Sequence, residues 1–190
     1  MKAYLENYLD EHKKAVESIP VDAVEDLIRD FRRALEEDRQ IFLFGNGGSA
    51  SNCSHFITDL GKSSSDKAFR RFRCLSLNEN LSWITAIGND YAYEDIYLRQ
   101  LENYARPGDI VMVLSVSGSS PNLVKAVEWC KQQGIRTVAL LGAQRGKLAT
   151  LADKQIVIDS THYGRVEDCH MHICHMICYA FIENEELQGR

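Results

Sequence analysis

Two stretches of the sequence carry the imidazole and carboxylate groups that move protons or bind a divalent metal. His55 and Asp59 are four positions apart, so on a helix they would share one face, about one turn apart. Residues 165–175 contain three histidines and two carboxylates, among them Glu167 and His175. These residues are candidates for an acid, a base or a metal ligand. The alternative for each stretch is an ordinary helix surface with solvent-facing side chains.

Two loops rich in glycine and serine follow apolar runs and precede helical patterns. The first, residues 45–52, reads GNGGSASN. Its glycines allow close approach to the backbone, and the N-terminus of the next helix favours an anion. The second, residues 115–122, reads SVSGSSPN, and its four hydroxyls converge just before a helix that begins at Pro121. This loop predicts a cradle for a phosphate monoester that neutral donors bind in place of lysine.

Each loop taken alone is also compatible with a different role. A serine–glycine run between a strand and a helix is often an ordinary N-cap turn. Gly45, Gly47 and Ala50 also fit the dinucleotide-binding fingerprint, and the acidic Glu79 follows the next apolar run. However, Glu79 lies 29 positions beyond Ala50, further than the usual ~20. A nicotinamide-linked oxidoreductase would also leave the serine loop without a role.

Short apolar runs alternate with helical patterns around these loops. The runs predict five strands, at residues 41–44, 74–77, 110–114, 137–141 and 156–158. Helices are predicted at residues 2–18, 21–37, 48–60, 80–104 with an interruption near Gly88, 121–133, 146–152 and 165–186. This alternation is typical of a parallel sheet covered on both faces, whose ligands bind beyond the carboxyl ends of the strands. The sequence thus predicts one α/β domain, a three-layer sandwich over residues 1–190 that begins with a helical pair.

Composition narrows the class of protein. The chain has 190 residues, 45% of them hydrophobic, which suits one domain with a substantial core. With 22 basic and 27 acidic residues, the net charge of −5 and the lack of a basic stripe argue against a nucleic-acid partner. No apolar run is long enough to cross a bilayer, and the charged N-terminus has no secretory core. We expect a cytoplasmic protein whose six cysteines are reduced and mostly buried.

The two loops together resemble those of the sugar isomerase (SIS) domain family. The closer resemblance is to the sedoheptulose-7-phosphate isomerases, and it extends over essentially the whole chain. It is carried by the N-terminal helical pair, the serine loop, the histidine-rich last helix and three short segments. Those segments are FGNGGSAS at 44–51, His55-Phe56 and Gly88-Asn89-Asp90. The family implies a five-stranded parallel sheet in flavodoxin-like order.

The resemblance also implies substrate contacts. In the family the serine loop holds the phosphate, which assigns Ser115, Ser117 and Ser120 to phosphate binding, with Ser119 as a neighbour. The sugar side is implied for a larger set of residues. These are Asn46, Gly47 and Ser49 along the first loop, Asn89 and Asp90 near the sugar hydroxyls, and Glu167 on the last helix.

The catalytic centre of the family matches His55, Asp59, Glu167 and His175, and the resemblance implies that these four bind Zn²⁺. Two positions depart from the family, since Asp59 stands for a glutamate and Glu167 for a glutamine. Two histidines and two carboxylates are a suitable ligand set for zinc. Asp59 and His175 are the implied acid–base pair, one on each side of the sugar, with their individual roles left open.

The implied activity is the aldose–ketose isomerisation of sedoheptulose 7-phosphate to D-glycero-D-manno-heptose 7-phosphate through an enediolate. That product would feed lipopolysaccharide or capsule synthesis. A homotetramer is implied, held together by a helical pair in residues 1–38. The apolar side chains of this pair, Tyr4, Tyr8, Leu27, Ile28 and Phe31, exceed what two helices bury against each other. The alternative is a non-catalytic SIS protein that binds sugar phosphates or acts as a replication adaptor.

Overall fold

The computed structural model describes residues 1–189 and contains a five-stranded sheet in which every neighbouring pair of strands is parallel. The strands are β1 (Gln40–Gly45), β2 (Arg73–Ser76), β3 (Ile110–Ser115), β4 (Arg136–Gly142) and β5 (Lys154–Ile158). Their order across the sheet is β2-β1-β3-β4-β5. The switch point of this order lies between β1 and β3, the two strands that lead into the glycine and serine loops. The predicted flavodoxin-like parallel sheet is confirmed.

Helices cover both faces of the sheet. The longer ones are α1 (Lys2–Glu17), α2 (Val21–Glu36), α3 (Gly48–Asp59), α5 (Leu81–Asp90), α6 (Leu98–Tyr104), α7 (Pro121–Gln132) and α9 (Tyr163–Glu183). The short ones are α4 (Ser65–Lys67), α8 (Leu148–Leu151) and α10 (Glu185–Gln188). Side chains alternate along β1, so Ile41 and Leu43 pack with α2, α3 and α9, while Phe42 and Phe44 pack with α6 and α7. The predicted three-layer arrangement is therefore confirmed.

The helical segment predicted over 80–104 is interrupted close to Gly88, as expected. Helix α5 ends at Asp90, two residues beyond Gly88, and a 3₁₀ turn at Tyr93–Asp95 precedes α6. After this break Ile96 and Tyr97 enter the core, where each is 1% exposed.

The two N-terminal helices have different roles. Helix α2 is part of the core, and Leu27 and Phe31 are fully buried in it. The expectation that these two side chains are spare for a partner subunit is therefore wrong. Helix α1 packs against α9 and buries only Ala15, while Tyr4 stays 64% exposed.

Two further observations concern the cysteines and the helix lengths. All six cysteines are free, and five of them are buried, as predicted. Among residues 1–189, none of the helices combines the length and apolarity needed to span a membrane.

Candidate active site

The serine loop after β3 forms one wall of a small cleft at the carboxyl edge of the sheet. The cleft encloses about 70 Å³, well below the volume of a typical small-molecule site. Its lining residues are Asn46, Ser49, Leu114, Ser115, Val116, Ser117, Ser120, Leu123, Tyr163 and Glu167. Hydroxyl and amide groups dominate its polar lining, and neither lysine nor arginine is part of it. This lining matches the neutral phosphate cradle that the sequence predicts.

Local hydrogen bonds set the shape of the serine loop. Ser115 Oγ accepts the Gly118 N–H at 3.0 Å, which still leaves its own hydroxyl hydrogen to donate. Ser120 is the N-cap of α7, where Pro121 takes the first helical position, and its side chain caps no backbone N–H. The Ser120 hydroxyl is thus available to a ligand beside the positive end of the helix dipole.

Glu167 places a carboxylate in this otherwise neutral cleft. Its side chain lies against Gly48 at the start of α3, where a Cβ atom would overlap the carboxylate. Burial raises the pKa of Glu167, the charge of Asp168 raises it further, and the Ser49 backbone N–H lowers it. Glu167 therefore ionises less readily than an exposed glutamate. An anionic ligand in the cleft would be repelled by its ionised carboxylate.

The second half of the site lies where α3 ends beside the middle of α9. Asp59 Oδ2 is 3.4 Å from His55 Nε2 and 3.6 Å from His175 Nε2. The two imidazole rings meet edge to face, with their centroids 5.1 Å apart. Asp59 is the last residue of α3, and a π-helical turn, Leu60–Ser64, continues the chain. Such turns are frequent at functional sites.

This group has the chemistry of a divalent-metal site. One ligand atom from each of His55, Asp59 and His175 lies within 4.8 Å of the other two. Ligand bonds of about 2.0–2.2 Å and tetrahedral angles place neighbouring zinc ligands about 3.3–3.6 Å apart, which matches both Asp59 distances. Two imidazoles and a carboxylate fit Zn²⁺ and would leave a fourth position for water or substrate. The predicted fourth ligand, Glu167, is not in this group, so its ligand role stays a prediction.

The expected placement of Asp59 and His175 on opposite sides of the sugar is not seen within this chain. Their side chains approach to 3.6 Å, which leaves no space for a sugar between them. The cause is the parallel course of α3 and α9, whose facing sides bring the two residues together.

A match to a known family decides between the alternatives left by the sequence. Residues 3–142 match the SIS domain, which is well over half of the chain. The chain belongs to the SIS domain family. Glu79, the acidic residue of the nicotinamide-linked alternative, accepts a hydrogen bond from Ser54.

Named relatives of this SIS-domain chain are phosphoheptose isomerases. It is 38% identical over 174 residues to a probable phosphoheptose isomerase of Thermoplasma volcanium, which covers 92% of this chain and 88% of the relative. Identity to the phosphoheptose isomerase of Geotalea daltonii is 35% over 181 residues, 92% of each chain. The structure of phosphoheptose isomerase from Neisseria gonorrhoeae has a TM-score of 0.87 at 25% identity, covering 95% of this chain and 97% of that one. The predicted family and enzyme class, a sugar-phosphate isomerase, are confirmed.

Several predicted site residues of the SIS domain lie outside the cleft. Asn89 and Asp90 are exposed at the end of α5, where the Asn89 amide donates to the Asp90 carboxylate at 2.9 Å. Ser119 and Gly47 are also exposed and do not line the cleft. Their substrate contacts stay predictions.

Two cleft features of the SIS domain escaped the sequence-based assignment. Tyr163, the first residue of α9, lines the cleft although it lies outside the serine and glycine motifs. Asn122, the last residue of the serine loop, lies behind the cleft and bonds directly to Asn46 across the switch point. The sequence signal for Asn122 is its position in the first turn of α7, whereas Tyr163 has none.

Proposed function

We propose that this SIS-domain isomerase converts sedoheptulose 7-phosphate to D-glycero-D-manno-heptose 7-phosphate, a precursor for lipopolysaccharide or capsule. The names of its relatives support a phosphorylated heptose as substrate. The cleft supports the phosphate, and the group of His55, Asp59 and His175 supports the proton chemistry.

The observation that carries this proposal is the separation of the two halves of the site. Helices α3 and α9 both begin at the cleft and both reach the imidazole–carboxylate group. At about 1.5 Å per residue, His55 is about 9 Å along α3 from Ser49, and His175 is about 12 Å along α9 from Glu167. A sugar chain of several carbons spans such a separation, with its phosphate in the serine loop and its carbonyl end at Asp59.

The proposed reaction moves a proton between neighbouring carbons at that end. A base removes a C1 proton of the ketose, the electron pair forms the enediolate, and a proton then adds to C2 to give the aldose. Because Asp59 and His175 lie together, we propose that both steps occur on one face of the enediolate. While no metal occupies these atoms, each can accept and donate a proton at the same place, and His55 lies 3.4 Å from the same Asp59 oxygen that faces His175.

We also propose that His55, Asp59 and His175 hold a zinc ion. A bound zinc ion would polarise the sugar carbonyl and stabilise the negative charge on its oxygen. The side chains would be oriented for this by their helices, since α3 presents His55 and Asp59 on one face.

A homotetramer is the third element of the proposal. Tyr4, Leu5 and Leu9 of α1 are 64%, 52% and 57% exposed, and Tyr179 of α9, near His175, is 49% exposed. Exposed apolar side chains on a surface helix such as α1 are typical of an interface. Copies of this chain are the proposed partner, because closed symmetric assemblies are the commonest form of oligomer.

The deciding experiment is to incubate the purified protein with a panel of ketose phosphates and to follow aldose formation. We expect turnover of sedoheptulose 7-phosphate, and a loss of at least about 100-fold in kcat for Asp59→Asn and His175→Gln. A matched control is Asp10→Asn on α1, an exposed carboxylate outside the site. A parent protein that binds the sugar phosphates without converting any of them would instead be a non-catalytic SIS module.

A further inference from the structure

A chain of side-chain hydrogen bonds lies beneath the glycine and serine loops. Asn78 Nδ2 donates to the Tyr97 hydroxyl at 2.9 Å and to the Gly45 carbonyl at 2.9 Å. The Tyr97 hydroxyl in turn lies 2.5 Å from the Gly45 carbonyl and 3.1 Å from Asn46 Oδ1. Asn46 and Asn122 exchange two further bonds, of 3.0 and 2.9 Å. Only Asn46 in this network is one of the predicted substrate-binding residues.

The orientation of both amides follows from one backbone donor. Asn122 Oδ1 accepts the Leu123 backbone N–H at 3.0 Å, and a backbone N–H can only donate. This fixes which end of the Asn122 amide is oxygen. Asn122 Nδ2 must then be the atom that donates to Asn46 Oδ1, while Asn46 Nδ2 donates back to Asn122 Oδ1. Asn122 is 2% exposed, so water cannot readily replace these bonds.

The network leaves one group of Asn46 free. Its oxygen accepts from Asn122 and lies 3.1 Å from the Tyr97 hydroxyl, whose single hydrogen it shares with the Gly45 carbonyl, so this oxygen is directed into the protein. One hydrogen of its Nδ2 is bonded to Asn122, and the second remains. Because Asn46 lines the cleft, this second N–H is the group that it can offer to a ligand.

We propose that Asn122 and Tyr97 are positioning residues that make Asn46 present an N–H donor, and never its carbonyl, to an oxygen of the bound sugar. The ligand identity rests on the proposed function. A fixed donor stabilises negative charge that develops on a sugar oxygen in the enediolate more than it stabilises the neutral substrate. Loss of either positioning residue therefore lowers kcat more than it raises KM.

Asn122→Asp is the sharpest test. The new carboxylate still accepts from Leu123 and from Asn46 Nδ2, but it cannot donate to Asn46 Oδ1, so the Asn46 amide loses its fixed orientation. We expect a fall in kcat of at least about tenfold with KM changed much less. Tyr97→Phe removes one hydroxyl and keeps the ring stacked on Phe44, so it tests the same idea if Asn122→Asp does not fold. Tyr104→Phe, an exposed tyrosine outside the network, is the matched control and should match the parent.

A second readout does not depend on activity. In protein labelled with ¹⁵N-asparagine, we expect the two Asn46 side-chain hydrogens to exchange with solvent at different rates, with the bonded one slower by more than about tenfold. Tyr97→Phe and Asn122→Asp should reduce that difference. Parent-like kcat in both variants, a change confined to KM, or two equally fast hydrogens in the parent would each overturn the inference. A parent without isomerase activity would refute the proposed function, while the exchange rates would still decide the amide orientation.

Discussion

Glu167 is the residue at which this chain departs most clearly from a neutral phosphate cleft. Its carboxylate lines the same space as Ser115, Ser117 and Ser120, and burial raises its pKa. Replacement by glutamine keeps the side-chain shape and removes the charge. We expect Glu167→Gln to bind inorganic phosphate about fivefold more tightly at pH 7, for about 1 kcal/mol of relieved repulsion. Isothermal titration measures this, and unchanged or weaker binding would remove Glu167 from the phosphate site.

The same residue predicts a pH dependence of stability. A carboxyl whose pKa is raised on folding opposes folding once it ionises, so its cost is present at neutral pH and absent in acid. Glu167→Gln should therefore raise the free energy of unfolding at pH 7, by less than about 1 kcal/mol because solvent screens a partly exposed group. The gain should vanish as the pH falls through the Glu167 pKa.

Urea denaturation at several pH values tests this, with Glu183→Gln as the control. Glu183 is an exposed carboxylate at the end of the same helix. A difference between Glu167→Gln and the parent that persists in acid would show that charge is not its cause.

The metal centre can be tested residue by residue. His175→Ala removes one of the three grouped ligands. In protein purified without chelator, we expect about one zinc ion per chain in the parent and a loss of that zinc in the variant. Elemental analysis gives the result directly. Glu167→Gln tests the predicted fourth ligand, because this replacement would lower the zinc content only if Glu167 binds the metal. A zinc-free parent with full activity would remove the metal from the mechanism.

Sequence patterns identified site residues best where the residues concerned lie in the same helix or loop. His55 and Asp59 could be paired from their four-residue spacing, and the structure places them 3.4 Å apart. The contact between Asp59 and His175 joins two helices that are more than one hundred positions apart. Spacing along one helix does not reveal such a contact, and so the approach of Asp59 to His175 within one chain was not predicted.

At the scale of elements, the serine loop is held against a neighbouring turn by two glycines. Gly118 has φ +65°, and a Cβ atom on it would overlap the Arg145 carbonyl oxygen. Gly146 has φ +57°, and a Cβ atom on it would overlap the backbone of Gly118. Both features disfavour any side chain. We expect Gly118→Ala to displace the serine loop and to weaken phosphate binding by at least about tenfold, about 1.4 kcal/mol.

The control for this change is Gly134→Ala, at a residue with φ +67° but open space around its Cβ position. Gly134→Ala places a side chain at a similar positive φ but brings its Cβ atom against no neighbouring atom. Equal phosphate affinity in the two variants would show that the close approach of Gly118 to Arg145 does not hold the serine loop in its binding position.

Sequence reasoning at this scale was accurate for the strands and less so for helix ends. All five apolar runs became strands, and the three central ones, β1, β3 and β4, are almost continuously buried, as a parallel sheet covered on both faces requires. The end of α5 depended instead on the burial of Tyr97, whose hydroxyl reaches Gly45 across the fold. A local helical pattern contains no information about that distant bond.

At the scale of the whole molecule, helix α1 carries exposed apolar side chains and packs against α9, the helix that contains His175. Leu5 and Leu9 are one helical turn apart and more than half exposed, so charged replacements should leave the folded chain intact. In an interface, however, two glutamates would have to be buried without partners, at a cost of several kcal/mol. We expect Leu5→Glu/Leu9→Glu to dissociate the assembly.

Light scattering should give the parent four times the chain mass of 21.6 kDa and the double variant a smaller species. We expect activity to fall with the assembly, because His175 and Tyr179 stay partly exposed within one chain and a neighbouring copy would complete their surroundings. Asn7→Glu, exposed on another side of the same helix, is the matched control and should stay assembled and active. A parent that is monomeric and turns over substrate at full rate would refute the tetramer, since one chain would then supply the complete site.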